Sequence, residues 1–217
     1  MEHHYKAISR ALEDFRYKRN PLKAYCDCIH ALALTYATMT DPYKNKERLD
    51  ELKSTYEIYK DSETEFTNLK NAISDLLKDM HNNYGDYLGK IYMELVPQSA
   101  NSHGQVFTPY HIAKLMSQMV LNKDDFKGKE RIKVYDPCCG AGVFSIATCD
   151  MLNDEKINYT MQAVFVAEDI DKTCVEMAYL QLSFLGASAV IQHKNTITQE
   201  KWDEYKTLGF LLTRWAV

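Results

Sequence analysis

The chain has 217 residues, of which 46% are hydrophobic and 26% charged, and its formal charge is −4. That length holds one ordinary domain plus a smaller one, with the composition of a folded globular protein rather than a disordered or fibrous one. No run of about 18 apolar residues and no apolar N-terminal signal core are present, which predicts a cytoplasmic protein without a membrane span, and net acidity argues against strong DNA binding by this chain alone.

The first hundred residues read as helices. Arg16-Tyr17-Lys18-Arg19 is a dense basic run, and a solvated helix face accounts for it more simply than a DNA-binding patch. Pro21 and Asp41-Pro42-Tyr43 punctuate separate helices. Phe66, Leu69, Ile73, Leu76 and Met80 recur at three- and four-residue intervals, and Asp61-Ser62-Glu63 before them offers capping groups. The many tyrosines read as a half-buried packing face rather than a base-stacking platform. Cys26 and Cys28 on a helix, and the neighbours Cys138 and Cys139 in a turn, lack the spacing of a zinc site. The six cysteines therefore read as ordinary buried thiols in a reducing compartment, and no metal site is expected.

Further along, Thr108 reads as a helix N-cap and Pro109 as the first helical residue. Ile112, Leu115, Met116, Met119 and Val120 form a stripe on that helix, expected in the core. From about residue 130 strands and helices alternate. Ile132 to Tyr135 is a strand that runs into the turn around Gly140 and Gly142, and Phe144 to Leu152 is a helix. Ala163 to Ala167 is a strand ending at Glu168-Asp169. A helix follows over Lys172 to Leu185, with Asp171 as N-cap and Gly186 just beyond. Ala189 to Ile191 is a third strand, and Gly209 to Thr213 offers a fourth. The order predicts an α/β fold, with a helical region over residues 1–100 and a parallel sheet over residues 101–217. Only about 80 residues follow the glycine turn, roughly half of what seven strands with their helices need, so a half sheet is expected.

The turn after the first strand carries chemistry. Glycines there let the backbone take positive φ and approach a ligand closely. The Asp136 carboxylate, at the strand end, suits a ligand ammonium, and a carboxylate of Glu168-Asp169 suits two ribose hydroxyls. A nicotinamide-dinucleotide turn would need a third glycine where Ser145 stands.

The segments Tyr87 to Leu95, Gly104-Gln105-Val106-Phe107-Thr108-Pro109, Asp136-Pro137-Cys138-Cys139-Gly140-Ala141-Gly142-Val143-Phe144, Asp169-Ile170-Asp171 and Lys194-Asn195-Thr196-Ile197 occur in this order. Together they resemble the cofactor pocket of DNA adenine-N6 methyltransferases, above all the modification subunits of type I restriction systems. The resemblance implies a truncated Rossmann-like sheet of S-adenosylmethionine-dependent methyltransferase type, and S-adenosylmethionine or S-adenosylhomocysteine as ligand. It implies that Phe107, Thr108 and Pro109 line the methionine end. Asp136 and Gly140, with Pro137 and Gly142 in the same turn, hold the amino-acid part. Asp169 binds the ribose, Ile170 packs on the adenine, and Asn195 bonds the adenine amine.

Active members of that family also carry an (Asn/Asp)-Pro-Pro-(Tyr/Phe) tetrapeptide, which orients the amine of a base flipped out of the duplex. This sequence has none. The stretch where it is expected, Trp202 to Val217, contains no proline, and Asp41-Pro42-Tyr43 reads as a turn. No DNA-reading domain is expected after Val217, and no catalytic residue is assigned. Three readings follow: a methyltransferase-like protein that binds the cofactor without activity of its own, acting as a regulator or host-defence antagonist of a phage or mobile element; an active methyltransferase subunit completed by another polypeptide; or an interaction module with a vestigial pocket. Self-association, or a partner from a restriction-modification or other defence system, is expected. A half sheet leaves an open edge, and Leu208 to Leu212 with Trp215 adds apolar bulk that a partner or the N-terminal helices must cover.

Overall fold

The N-terminal half is built from α1 (Glu2–Glu13), α2 (Pro21–Thr40), α3 (Lys46–Ile58), α4 (Glu63–Lys78) and α5 (Tyr87–Leu95). The computed structural model describes residues 1–40, 45–96, 106–121, 123–126 and 131–213. Gly104, Gln105, the Asp41-Pro42-Tyr43 turn and Trp215 lie outside the described residues. Pro21 opens α2 as its first residue, where a missing N–H costs nothing. The α4 stripe of Phe66, Leu69, Ile73 and Leu76 is buried, as is Met80 in the short 3-10 turn that follows. Ser62 precedes α4 without a side-chain capping bond, and its hydroxyl donates to Asp61.

The basic run is not a helix face. Residues 16–19 form the turn between α1 and α2. Lys18 pairs with Glu65, and Arg19 reaches Asp61 at 2.6 Å and the Ile58 carbonyl at 2.6 Å. Two of its three cations thus tie that turn to the start of α4.

The second half runs α6 (Tyr110–Val120), β1 (Ile132–Asp136), α7 (Val143–Asp154), α8 (Tyr159–Gln162), β2 (Ala163–Asp169), α9 (Lys172–Phe184), β3 (Ala189–Lys194), β4 (Lys201–Lys206) and α10 (Leu208–Thr213). The sheet order is β1-β2-β3-β4, with β4 antiparallel to β3 and the other pairs parallel. Asp171 caps α9 by accepting from the Thr173 and Cys174 amides, and Gly186 follows at φ +68°.

The fourth strand is not where the sequence put it. Gly209 to Thr213 lies in α10, started by the Thr207 hydroxyl accepting from the Phe210 amide at 3.3 Å. The strand is instead Lys-Trp-Asp-Glu-Tyr-Lys, a mostly charged run without an apolar alternation: Tyr205 is fully buried while the lysines at both ends are exposed.

One face of the sheet, including Phe165, Ala167, Ala189, Ile191 and Tyr205, shares a single core with the N-terminal helices and α9. On the other face Phe210 covers Val164 and Val190, with Leu211 beside them. Leu208 and Leu212 of the same helix stay exposed. Beyond α10 that face is polar. Lys194 Nζ donates to Glu168 Oε1 at 2.9 Å and Gln192 Nε2 to Glu204 Oε2 at 2.7 Å. A sheet face satisfied in this way tolerates water.

A buried network joins the two halves. The carboxylate of Glu176 on α9, 2% exposed, contacts His30 Nδ1 of α2 at 2.6 Å and accepts from the Tyr205 hydroxyl of β4 at 3.0 Å. His30 also meets Glu51 of α3 at 3.1 Å. Arg48 bonds Asp203 at 2.9 Å and lies 4.6 Å from the Tyr205 ring centre.

The α6 stripe is the largest departure from expectation. Leu115 is 54%, Met119 78% and Val120 76% exposed, and Ile112 and Met116 are also exposed. Ala113 and Ser117 are the buried residues of α6 instead. Tyr110 and Lys114 set the rotation of the helix by bonding Asp150 of α7, each at 2.6 Å. The small residues Ala113 and Ser117 then face α7, and the large apolar ones face away. Among the described residues, β1 pairs only with β2, so its outer edge is open beside this stripe.

Candidate functional site

At the carboxyl ends of β1, β2 and β3 lies a cavity of about 310 Å³, lined by Phe107, Pro137, Gly140, Asp169, Ile170 and Asn195 among others. Clefts at that end of a parallel sheet are the ordinary ligand sites of α/β folds. Six of the ten residues expected from the sequence thus meet in one cavity. Val106, Ile170 and Ile197 border it with apolar side chains that are 83%, 61% and 94% exposed.

The turn that floors the cavity is stitched to β2. The Gly140 amide donates to Asp169 Oδ2 at 2.8 Å, and the Cys139 amide to the Glu168 carbonyl at 2.9 Å. Gly140 takes φ +54° and Gly142 φ +89°. Their roles differ. For a Cβ on Gly140 the nearest atoms among the described residues are those of the Phe107 ring, at 3.8 Å or more, whereas one on Gly142 would stand 3.1 Å from Ala178 Cβ. Gly140 leaves room for a ligand, and Gly142 lets α7 and α9 approach. Gly142→Ala is expected to lower stability by about 1–2 kcal/mol from its left-handed backbone alone, read as a lower urea midpoint at unchanged slope; an unchanged midpoint would contradict this packing role.

The two acidic residues ending β2 separate in function. Glu168 is buried and committed, accepting from Lys194 at 2.9 Å and from the Thr196 hydroxyl at 2.8 Å. Asp169 faces the cavity, with Oδ2 on the Gly140 amide and Oδ1 on the Asp171 amide at 2.9 Å. Each oxygen keeps a lone pair for another donor. Burial pushes the Asp169 carboxyl above the ordinary range against these amide bonds.

Asp136 lies at the end of β1 and lines a smaller cleft between α6, β1 and α7. Its Oδ1 accepts from the Cys138 amide at 3.2 Å, while its Oδ2 is buried without a partner among the described residues. Burial, then the charge of Asp169, raises its carboxyl as well, the Cys138 bond opposing both. A buried unpaired carboxylate oxygen is costly, and a ligand cation or hydroxyl would relieve it.

Thr108 and Pro109 are set apart from the main cavity. They line a neighbouring pocket of about 340 Å³, with Phe107 as the shared wall. Thr108 does not cap α6; Pro109 occupies the N-cap position at ψ 137°, without a side-chain bond. The ring of Phe107 stacks on Tyr92 of α5, centroids 6.0 Å apart.

Asn195 lines the cavity, yet its oxygen is already engaged by the Ile197 and Thr198 amides, at 3.0 and 3.1 Å. It cannot readily accept from an adenine amine; its NH2 group can donate to a ring nitrogen. Sequence reasoning missed the Glu168–Lys194 ion pair. Its signal was the register of β2 and β3, which puts Glu168 beside Gln192, two residues before Lys194. All six cysteines are free; four are buried, Cys26 is half-buried and Cys138 is exposed.

A curated relative, the methylase subunit of the type I restriction enzyme MjaIX from Methanocaldococcus jannaschii, is 21% identical over 138 residues. That alignment takes in 64% of this chain, and the chain spans about a quarter, 24%, of the relative. The solved methyltransferase subunit of a type I restriction-modification system from Streptococcus thermophilus superposes with a TM-score of 0.44 at 15% identity, over 93% of this chain and 60% of that one. A proposed class I S-adenosylmethionine-dependent methyltransferase from Listeria monocytogenes gives 0.41 at 13% identity, over 81% and 54%. The family described as N-6 DNA Methylase matches residues 83–214, which contain β1 to β4 and every residue of the cavity. The chain belongs to the N-6 DNA methylase family.

Proposed function

We propose that the chain binds S-adenosylmethionine or S-adenosylhomocysteine as the cofactor half of an N6-adenine methyltransferase, and transfers no methyl group by itself. The observation that carries the reading is the pair of carboxylates at the glycine turn. Asp136 Oδ2 is buried with no partner among the described residues, and both Asp169 oxygens keep acceptor capacity. A ligand with an ammonium at one end and a ribose diol in the middle matches that donor demand. Asp136 would take the ammonium, Asp169 the ribose hydroxyls, Ile170 the adenine face, and Asn195 a ring nitrogen. When bound, S-adenosylmethionine supplies an electrophilic methyl group on sulfonium. The chain's own residues then bind and orient it. None of them supplies the paired acceptors that would aim an adenine amine, since no Asn/Asp-Pro-Pro-aromatic tetrapeptide occurs in the sequence. Roles as a regulator or as an antagonist of host defence for a phage or mobile element are compatible with such a protein.

Incubation of the isolated chain with tritiated S-adenosylmethionine and mixed-sequence DNA tests the inactivity. No label is expected in N6-methyladenine. Label that appears with the wild type and vanishes with Asp136→Ala would overturn it.

A second reading has its own support: completion by another polypeptide. Among the described residues β1 has an open edge, and Met116 and Val120 of α6 share a cleft with Val134 and Tyr135 of β1, on a helix that also exposes Leu115 and Met119. Unpaired strand edges next to apolar surface invite strand addition. The edge first offers itself to a second copy, antiparallel about a two-fold axis, which would cover it without supplying the missing tetrapeptide. Light scattering after size exclusion should give twice 25.1 kDa, reverting to one chain in Leu115→Asp/Met119→Asp. A mass of one chain at every concentration would contradict self-pairing and leave the edge to a different polypeptide.

A further inference from the structure

Ahead of the family match lies a cluster that the cofactor reading does not use. His3 and His4 start α1, and Asp79 follows the end of α4. Consecutive helical residues ordinarily point about 100° apart, yet these two rings sit with centroids 3.8 Å apart. His4 is buried, and its Nε2 is 2.8 Å from Asp79 Oδ2. His3 is exposed, and the Asp79 side chain is 47% exposed. One donor atom from each of the three residues lies within 4.8 Å of the other two. Zinc with bonds of about 2.1 Å holds tetrahedral ligands roughly 3.4 Å apart, so the set closes if the exposed His3 ring rotates and the His4–Asp79 pair, now at 2.8 Å, opens by roughly half an ångström.

We propose that His3, His4 and Asp79 form a surface site for a borderline divalent cation of the Zn²⁺, Co²⁺ and Ni²⁺ class, clamping the start of α1 to the end of α4. Two imidazoles with one carboxylate suit these ions and not Mg²⁺ or Ca²⁺, which take oxygen ligands. Three protein ligands leave a position for water. The simpler account is a His4–Asp79 ion pair with His3 as bystander.

Calorimetric titration of the metal-free full chain with Zn²⁺ separates the two, with Co²⁺ as a spectroscopic probe. One ion per chain is expected, with the visible bands of nitrogen and oxygen ligation. His3→Ala, at an exposed position, should keep the helical circular dichroism and weaken binding by about tenfold or more, as the loss of even a supporting group does. Asp79→Asn, which keeps an acceptor for His4, should weaken it as well. Absence of one-to-one binding, or equal affinity in His3→Ala, would overturn the proposal. So would an ultraviolet thiolate-to-cobalt band, which would move the ion to a cysteine such as the exposed Cys138.

Discussion

His30→Ala should destabilise the protein by about 3 kcal/mol, the low end of what removing one partner of a buried ion pair costs. The Glu176 carboxylate that it leaves behind is 2% exposed and keeps only the Tyr205 hydroxyl at 3.0 Å among its bonds across the network. That remaining donor is why the low end is expected. Adding Glu176→Gln to His30→Ala should recover part of the loss, because it removes the stranded charge while keeping an acceptor for Tyr205. The effect also has a pH signature. Burial lowers the His30 pKa, but the Glu176 hydrogen bond and charge outweigh it, and the net shift is upward from 6.5. A raised histidine stabilises the fold fully below its unfolded pKa of about 6.5 and loses that contribution as pH climbs through its folded value. The difference between wild type and His30→Ala, measured by urea unfolding, should therefore shrink as pH rises above about 6.5. A difference that grows with pH would show that the charge of His30 is not what holds α2 to α9.

Asp169→Ala should weaken S-adenosylhomocysteine binding by about a hundredfold or more. Two charge-assisted bonds to ribose hydroxyls, each worth about 1.5–3 kcal/mol, are lost together. The neighbour Glu168 is the control. Its carboxylate is bound to Lys194 and Thr196, so Glu168→Gln should lower stability and leave the ligand affinity within a few-fold of wild type. If Glu168→Gln instead lost affinity and Asp169→Ala did not, the ribose would belong to the other carboxylate. Burial raises the Asp169 carboxyl, so affinity should begin to fall with acidification at a higher pH than the ordinary aspartate value of about 3.9 allows.

Where one local signal ruled, the sequence was readable. β1, the glycine turn, β2, α9 with its Asp171 cap, and Gly186 beyond it all follow from residues adjacent in the chain. The α4 stripe was readable because its period and its burial agree. The α6 stripe has the same period and misled, because helix periodicity finds an apolar face without saying what covers it. Lys114 and Tyr110 turned that face outward through Asp150, a residue 36 and 40 positions away. The β4 strand was missed because it is mostly charged and buries only Tyr205, which is held by Glu176 and Arg48 from distant helices. At the site, residue types were legible but their commitments were not. Only the fold divides Glu168 from Asp169, or shows that the Asn195 oxygen is already taken.

The central claim is that the cavity at Gly140 and Asp169 holds S-adenosylmethionine or its demethylated product. Calorimetric titration of the purified wild-type chain with S-adenosylhomocysteine, repeated with Asp169→Ala, tests it most directly. One ligand per chain is expected, with binding lost or weakened about a hundredfold in the variant. No heat of binding to the wild type at millimolar ligand, with the chain folded by circular dichroism, would contradict it and leave a vestigial pocket.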